Sequence, residues 1–210
     1  MIYQIIKGIA QGKSLVRTLM NLELKKYAIS GKVMDVGSGE NPSYYYFLKK
    51  YGNPEIINID ARHLDIDLEQ DRLPAETESV DCVLMFNILE HIYNHGFLVK
   101  EAFRVLKQDG KVLGFVPFLI NYHPDPHDYF RYTNEALNKI FAGVGFKEAQ
   151  IKIIGRGPFA VNFNNIITLL PRVVGAVIFI VYYFFDWFLI KIKPKITERY
   201  PLGYLFLLTK

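Results

Sequence analysis

Two stretches of this 210-residue chain concentrate side chains able to do chemistry. The first is VMDVGSGENP, residues 33–42, where an apolar run closes on Asp35 and enters a turn holding Gly37, Ser38 and Gly39. Glycines at this spacing permit a tight turn and let backbone N–H groups approach a ligand at the first strand-to-helix crevice. The dinucleotide pattern G-x-G-x-x-G is not met, because Pro42 stands where its third glycine belongs. A carboxylate at Asp35 repels phosphate and suits a cationic ligand. The second stretch is VPFLINYHPDPHDYFRYTNEAL, residues 116–137, stiffened by Pro124 and Pro126. It places His123, Asp125, His127, Asp128, Tyr129, Arg131 and Tyr132 within ten residues. An imidazole titrates near neutrality, so His123 is the first candidate for a general base; fixing the loop by hydrogen bonds is its alternative task. Arg131 can grip a phosphate or carboxylate on a substrate, or pair with Asp128 and hold the loop.

These residues need a scaffold, and the patterning from Lys32 onward supplies one. Short apolar runs predict strands at 32–36, 56–60, 80–86, 111–116, 150–154 and 203–209, with helices near 42–51, 94–106 and 133–143. Thr133 is the expected N-cap of the last of these helices. Strand and helix in alternation imply an α/β fold with a mostly parallel sheet covered on both faces. Before Lys32, Ile2, Ile5, Ile6, Ile9, Leu15, Leu19 and Leu22 fall at helical spacing among basic residues, giving one or two basic amphipathic helices. The boundaries expected are a helical segment 1–31, a core 32–156, a hydrophobic insertion 157–201 and a final strand 202–210.

In the order of these motifs the chain resembles class I S-adenosylmethionine-dependent methyltransferases, whose first motif reads D-x-G-x-G. Asp60 closes the second strand 21 residues after Gly39; DLEQDRLP follows, and SVDCVLMFNILEHI at 79–92 resembles the family's fourth-strand motif. The resemblance covers roughly residues 30–155. It implies a Rossmann-like, seven-stranded, mostly parallel sheet, with a hydrophobic helical insertion before the last strand. It implies S-adenosyl-L-methionine as cofactor, held by Asp35, Gly37, Ser38, Gly39, Asp60, Ala61, Asp67, Leu68 and Asn87. Asp60 would accept hydrogen bonds from the ribose hydroxyls, and Asp67 and Leu68 would lie by the adenine. Read singly, Asp60 can equally be a helix cap, Asp67 a turn residue and Asp81 a solvated strand start. The second stretch resembles a type 11-like branch with the pattern P-F…H-x-x-P-x-D-Y-x-R-Y-T, associated with surface-polysaccharide and related glycan pathways. There His123 is the candidate base with His91 as the second, and Asp128 and Arg131 are the candidate acceptor-binding pair.

Composition narrows the class. With 50% hydrophobic residues, 14 Tyr and 16 Phe the chain is not disordered, and a lone Cys82 excludes an intrachain disulfide framework or a zinc ribbon. The net charge of +4 is uneven: residues 1–32 carry 6 basic and 1 acidic, 33–156 carry 13 and 18, and 157–210 carry 6 and 2. Within the basic C-terminal flank lies VVGAVIFIVYYFFDWFLI, residues 173–190, interrupted only by Asp186. Arg172, Lys191, Lys193 and Lys195 flank it and Tyr182, Tyr183 and Trp187 punctuate it, which points to lipid rather than nucleic acid. A buried core helix or a dimer seam is the alternative.

If GYLFLLTK returns to the sheet, a single crossing is excluded, and FAVNFNNIITLL at 159–170 is too short and polar to supply a second. A monotopic arrangement through residues 159–195 is therefore expected, at the inner face of the cell membrane. Lys7, Gly8 and Gly12 break any signal-like run, and the acidic middle is expected in the cytoplasm. Oligomerisation through the insertion is compatible with this reading.

His91 with His95, and His123 with His127, sit four apart, so a four-ligand metal site can be drawn. The prolines forbid a regular helix for the second pair, no thiolates are supplied, and Asn87 replaces the first glutamate of the E-x-x-E-H pattern of ubiquinone-type O-methyltransferases. No metal is expected. The expected function is methyl transfer to a lipid, a lipid-linked sugar or another amphiphilic small molecule. The alternative is a methyltransferase-like binding or assembly protein without catalysis. Nucleic-acid methylation is not expected, since FNIL stands where N/D-P-P-Y/F would be.

Overall fold

Apolar runs too short for helices alternate with amphipathic stretches from Lys32 onward, and the chain folds accordingly. The computed structural model describes residues 2–37, 39, 42–62 and 65–210, with residues 61 and 62 as backbone only. Helices α1 (Ile2–Ala10) and α2 (Leu15–Leu24) precede β1 (Ala28–Ile29) and β2 (Lys32–Asp35). A 3-10 turn at Ser43–Tyr46 leads to β3 (Lys49–Lys50), β4 (Glu55–Asn58), α3 (Ile59–Arg62) and β5 (Val80–Phe86). Then come α4 (His95–Val105), β6 (Leu106–Pro117), α5 (Asn134–Val144) and β7 (Glu148–Gly155). Helices α6 (Pro158–Ile166), α7 (Arg172–Ile192) and α8 (Ile196–Arg199) precede β8 (Pro201–Thr209).

The main sheet has the order β4-β2-β5-β6-β8-β7, and β4, β2, β5 and β6 are mutually parallel. Strand β5 is buried along nearly its whole length, as expected for a parallel strand with helices on both faces. This is the Rossmann-like α/β architecture, but the sheet has six strands among the described residues where seven were expected. The missing strand has a local cause. Between α3 and β5 no apolar run is long enough to pair, and Asp67 organises turns there instead. Its Oδ1 accepts the Glu69 N–H at 2.9 Å, and its carbonyl accepts the Asp71 N–H at 2.7 Å.

The helix expected at 42–51 is reduced to the 3-10 turn. Tyr44, Tyr45, Tyr46 and Phe47 are weak helix formers, and the following residues are captured by β1. Lys49 and Tyr51 donate their N–H groups to the carbonyls of Tyr27 and Ile29, forming a separate parallel pair. Where a helix was expected after the second motif, α5 forms, and the Thr133 hydroxyl accepts the Ala136 N–H as its N-cap.

Two units divide the chain. One comprises Leu24–Pro117, Tyr122–Lys152 and Leu205–Lys210, and contains most of the sheet. The other comprises Met1–Glu23, Phe118–Asn121 and Ile153–Tyr204, and is largely helical. Its core joins Ile5 and Ile9 of α1, Leu15 of α2, Phe163 of α6 and Phe179 of α7, so the two basic flanks of the sequence share one hydrophobic cluster. Asp186, the single charge in the apolar run of α7, is fully buried. It accepts the N–H groups of Phe159 and Ala160 at 3.1 and 2.8 Å, satisfying the first turn of α6. Glycine is required at Gly157, where a Cβ would lie 2.4 Å from the Asp186 carboxylate.

Candidate active site

Strand β2 delivers Asp35 and then turns through Gly37 and Gly39, both with positive φ. A Cβ on Gly37 would meet Ile88 at 2.4 Å, so only glycine lets this turn pack against the end of β5. Around Gly39 no heavy atom lies within 4 Å of where a Cβ would stand, which leaves its backbone open to a ligand. One strand over, Asp60, in α3 directly after β4, accepts the Gly39 N–H at 2.5 Å, while Asn58 donates its side-chain amide to the Gly39 carbonyl at 2.9 Å. The glycine turn and the acidic residue after β4 are thus one hydrogen-bonded unit. Ser38 lies outside the described residues, as does the side chain of Ala61.

Asp35 is fully buried, and the Tyr44 hydroxyl bridges both its oxygens at 2.6 and 2.5 Å. Tyr44 was not expected from the sequence, since nothing in SYYYF distinguishes it from its neighbours. Its ring packs 4.5 Å from that of Phe86, which pins the first turn to β5. Asp67 and Leu68 lie on the turns described above, where the Asp67 carboxylate also accepts the Gln70 side-chain amide at 2.7 Å. Asn87 follows β5 with φ 53°, a left-handed conformation that asparagine tolerates better than most residues, and donates its N–H to Phe115.

The fourth-strand motif and the long loop after β6 are brought together. The Glu90 carbonyl accepts the N–H of Tyr129 at 2.8 Å, and the Tyr132 hydroxyl donates to the Leu89 carbonyl at 2.9 Å. Within the loop, Arg131 grips Asp128 through both Nη groups, and Asp128 Oδ2 also accepts the His123 backbone N–H at 3.0 Å. Arg131 above all holds the Asp128 carboxyl at about 2, below its ordinary 3.8. The pair therefore ties the loop together. His123 and His91, the two base candidates, meet edge to face with ring centroids 5.2 Å apart. His95 and His127 do not join them. His95 packs against Phe130 and Tyr132, where burial lowers its pKa, and the His127 ring lies against Tyr129.

Residues 34–114 match the family model of a methyltransferase domain. By sequence, that span is a methyltransferase domain. A probable S-adenosylmethionine-dependent methyltransferase of Mycolicibacterium smegmatis is 31% identical over 77 residues, covering 35% of this chain and 30% of that relative. The chain thus matches under a third of the length of this curated relative. A S-adenosylmethionine-dependent methyltransferase from Archaeoglobus fulgidus has the same fold with a TM-score of 0.54 at 15% identity, over 92% of this chain and 94% of that one. The [4+2]-cyclase SpnF superposes with a TM-score of 0.52 at 12% identity, over 99% of this chain and 93% of that one.

The residues present fit the methyltransferase cofactor. The glycine turn offers an open backbone, and Asp60, half-exposed beside it, is the type of acceptor that vicinal hydroxyls require. The cofactor of this family supplies a methyl group on a positively charged sulfur. Asp35, buried beside the turn, would set a carboxylate next to that ligand. Glu90 was named by the sequence only as a motif position. It is completely buried, its Oε1 3.7 Å from His91 Nε2 and 3.8 Å from His123 Nε2. Its adjacency to His91 was legible; its meeting with His123, from another loop, was not.

Proposed function

We propose that the protein transfers methyl groups from S-adenosylmethionine to an acceptor at a membrane surface, a lipid or a lipid-linked sugar. The methyl-transfer half rests on one observation: the D-x-G-x-G turn at the end of β2 is bonded to Asp60 directly after β4. Because the [4+2]-cyclase shares the fold, fold likeness alone does not decide between methyl transfer and another use of the site. The loop from His123 to Arg131 supports catalysis, since it sets His123 next to His91 beside a buried carboxylate. His123 or His91 would take the proton of a hydroxyl acceptor as it attacks the methyl group.

The membrane half rests on α7. Among the described residues it is the one helix long and apolar enough to cross a bilayer, yet only 17% of its most apolar 18 residues are buried. One stripe, Gly175, Phe179 and Asp186, is buried. The opposite stripe, Val173, Val177, Ile180, Phe184, Phe188 and Ile192, is 51 to 78% exposed. A core helix buries such side chains; a stripe left outside, with Lys191 stacked 4.0 Å from the Trp187 ring at one end, suits a helix lying in the interface.

Calorimetry tests the first half: S-adenosylmethionine is expected to bind, with affinity lost in Asp35→Ala and Asp60→Ala. Unchanged affinity in both variants overturns the site assignment. Fractionation tests the second. The protein is expected in the membrane fraction, released by detergent and not by salt, and Phe184→Lys with Phe188→Lys should weaken partition on the order of 100-fold. Freely soluble wild-type protein overturns this half and favours a seam between copies. Labelling of membrane lipids by radioactive cofactor then identifies the acceptor.

A further inference from the structure

The cluster of Glu90, His91 and His123 has a polarity that its own side chains leave unbalanced. Glu90 is 0% exposed, and neither of its carboxylate oxygens has a hydrogen-bond partner among the described residues. A buried carboxylate without partners is costly, and native structures keep one only where something else completes it. Both imidazoles turn Nε2 toward it, at 3.7 and 3.8 Å. Direct N–H···O bonds lie at about 2.7–3.2 Å, so these contacts are too long to be such bonds.

The far nitrogens of both rings are engaged. His91 Nδ1 lies 2.5 Å from the His127 carbonyl, which can only accept, so this nitrogen carries a proton and Nε2 is the ring atom left to face Glu90. His123 Nδ1 faces Asp128 Oδ2 at 3.4 Å and Arg131 Nη2 at 3.3 Å. Each Arg131 Nη carries two N–H groups, so Nη2 can bond both Asp128 and His123 Nδ1, and the His123 ring is held beside this pair in either tautomer. A buried carboxylate faced by two imidazole Nε2 atoms beyond hydrogen-bonding distance is a donor set that a cation between them would complete. A backbone carbonyl on one histidine and a carboxylate on the other are the outer partners that fix metal-ligating imidazoles.

We infer that Glu90, His91 and His123 form a binding site for one divalent transition-metal ion of the zinc type, with His127 and Asp128 orienting the two imidazoles. The three ligand atoms lie within 4.8 Å of one another, and a tetrahedron with bonds near 2.1 Å has edges of roughly 3.4 Å. Small rotations of two side chains close that gap. Two imidazole nitrogens and one carboxylate oxygen suit zinc, cobalt or nickel better than magnesium or calcium. Three protein ligands leave a coordination position for a fourth group, and an ion held there would take the place of His123 and His91 as the group that activates an acceptor hydroxyl. The site differs from the two four-apart histidine pairs drawn from the sequence, because His95 and His127 contribute no ring nitrogen.

The test is cobalt and zinc binding by the full-length chain, purified in detergent and stripped with a chelator. One Co2+ per chain is expected, with a visible absorption band of low-symmetry coordination that one equivalent of Zn2+ abolishes. Glu90→Gln and, separately, His123→Ala should each lose the band, with near-ultraviolet circular dichroism unchanged. His95→Ala should keep it. S-adenosylmethionine binding, followed in parallel, reports on the glycine turn alone and separates failure of the metal site from failure of the methyltransferase reading. Absence of a band in the wild type, or a band that survives both Glu90→Gln and His123→Ala, overturns the assignment. If Glu90→Gln does not fold, His123→Ala, on a half-exposed loop residue, decides alone.

Discussion

The sheet unit and the helical unit each bury a carboxylate completely, and they treat it in opposite ways. In the helical unit Asp186 is spent on two backbone amides that begin α6, so its charge is answered within the fold. In the sheet unit Glu90 has no such answer among the described residues and faces two imidazoles instead. A satisfied buried carboxylate is a structural part; an unsatisfied one is held for something that arrives later. Sequence cannot separate the two, since both appear as an acidic residue inside an apolar run. The units differ outwardly too: apolar residues are inside the sheet and, along one stripe of α7, outside the helices.

The largest effect that would sharpen this contrast comes from Gly37→Val. The new side chain collides with Ile88 at a positive φ, so cofactor binding should vanish in calorimetry and stability should fall on the order of 3 kcal/mol. Membrane partition should be unaffected; a joint loss would show that the two units do not work separately. Next, Asp128→Asn should cost about 2 kcal/mol by removing a charge-assisted pair, read by chemical denaturation at pH 7. The Asp128 carboxyl is held at about 2, below its ordinary 3.8, so its stabilisation is present above roughly pH 4 and is lost as the pH falls through about 2. The variant should therefore show a flatter decline in that window, and an identical decline would mean that Asp128 is not the titrating group.

Asp186→Ala removes an acceptor from the start of α6 and should lower stability by about 1 kcal/mol, with cofactor affinity intact. A change in cofactor affinity would mean that this carboxylate also serves the site. The smallest effect is at Cys82. Burial, with Asp35 adding to it, pushes this thiol up to about 12, so the native protein should resist maleimide at neutral pH while the denatured protein reacts fully. Rapid labelling of native protein would show that the sheet core opens.

The parts of the fold that were legible in sequence are those set by local pattern. VDCVLMF makes β5, Gly37 and Gly39 make the turn, and Thr133 caps α5, because periodicity, glycine conformation and side-chain capping each act within a few residues. The helix expected at 42–51 failed because β1, some twenty residues earlier, competes for the amides of Lys49 and Tyr51. The seventh strand was carried over from the resemblance and has no apolar run here to build it. In the candidate site, Asp35 and Asp60 were visible, but Tyr44 sealing Asp35 was not, since a hydroxyl reaching back nine residues leaves no periodic trace. Glu90 meeting His123 depends on how the loop folds back onto the end of β5, which is tertiary information. Arg131 was read as able to grip an acceptor or to pair with Asp128, and the pairing is present.

The sheet order has a consequence for synthesis. Strand β8 lies between β6 and β7, although both are made before it. As the chain leaves the ribosome, α6 and α7 therefore emerge while β6 still has an open edge and β7 has no neighbour to join. An apolar helix is exposed at the time when the sheet is least able to close, the interval in which nascent chains are most prone to aggregate. A bilayer near the exit tunnel would shelter α7 during that interval. On the proposed membrane reading, capture of α7 would then precede completion of the sheet.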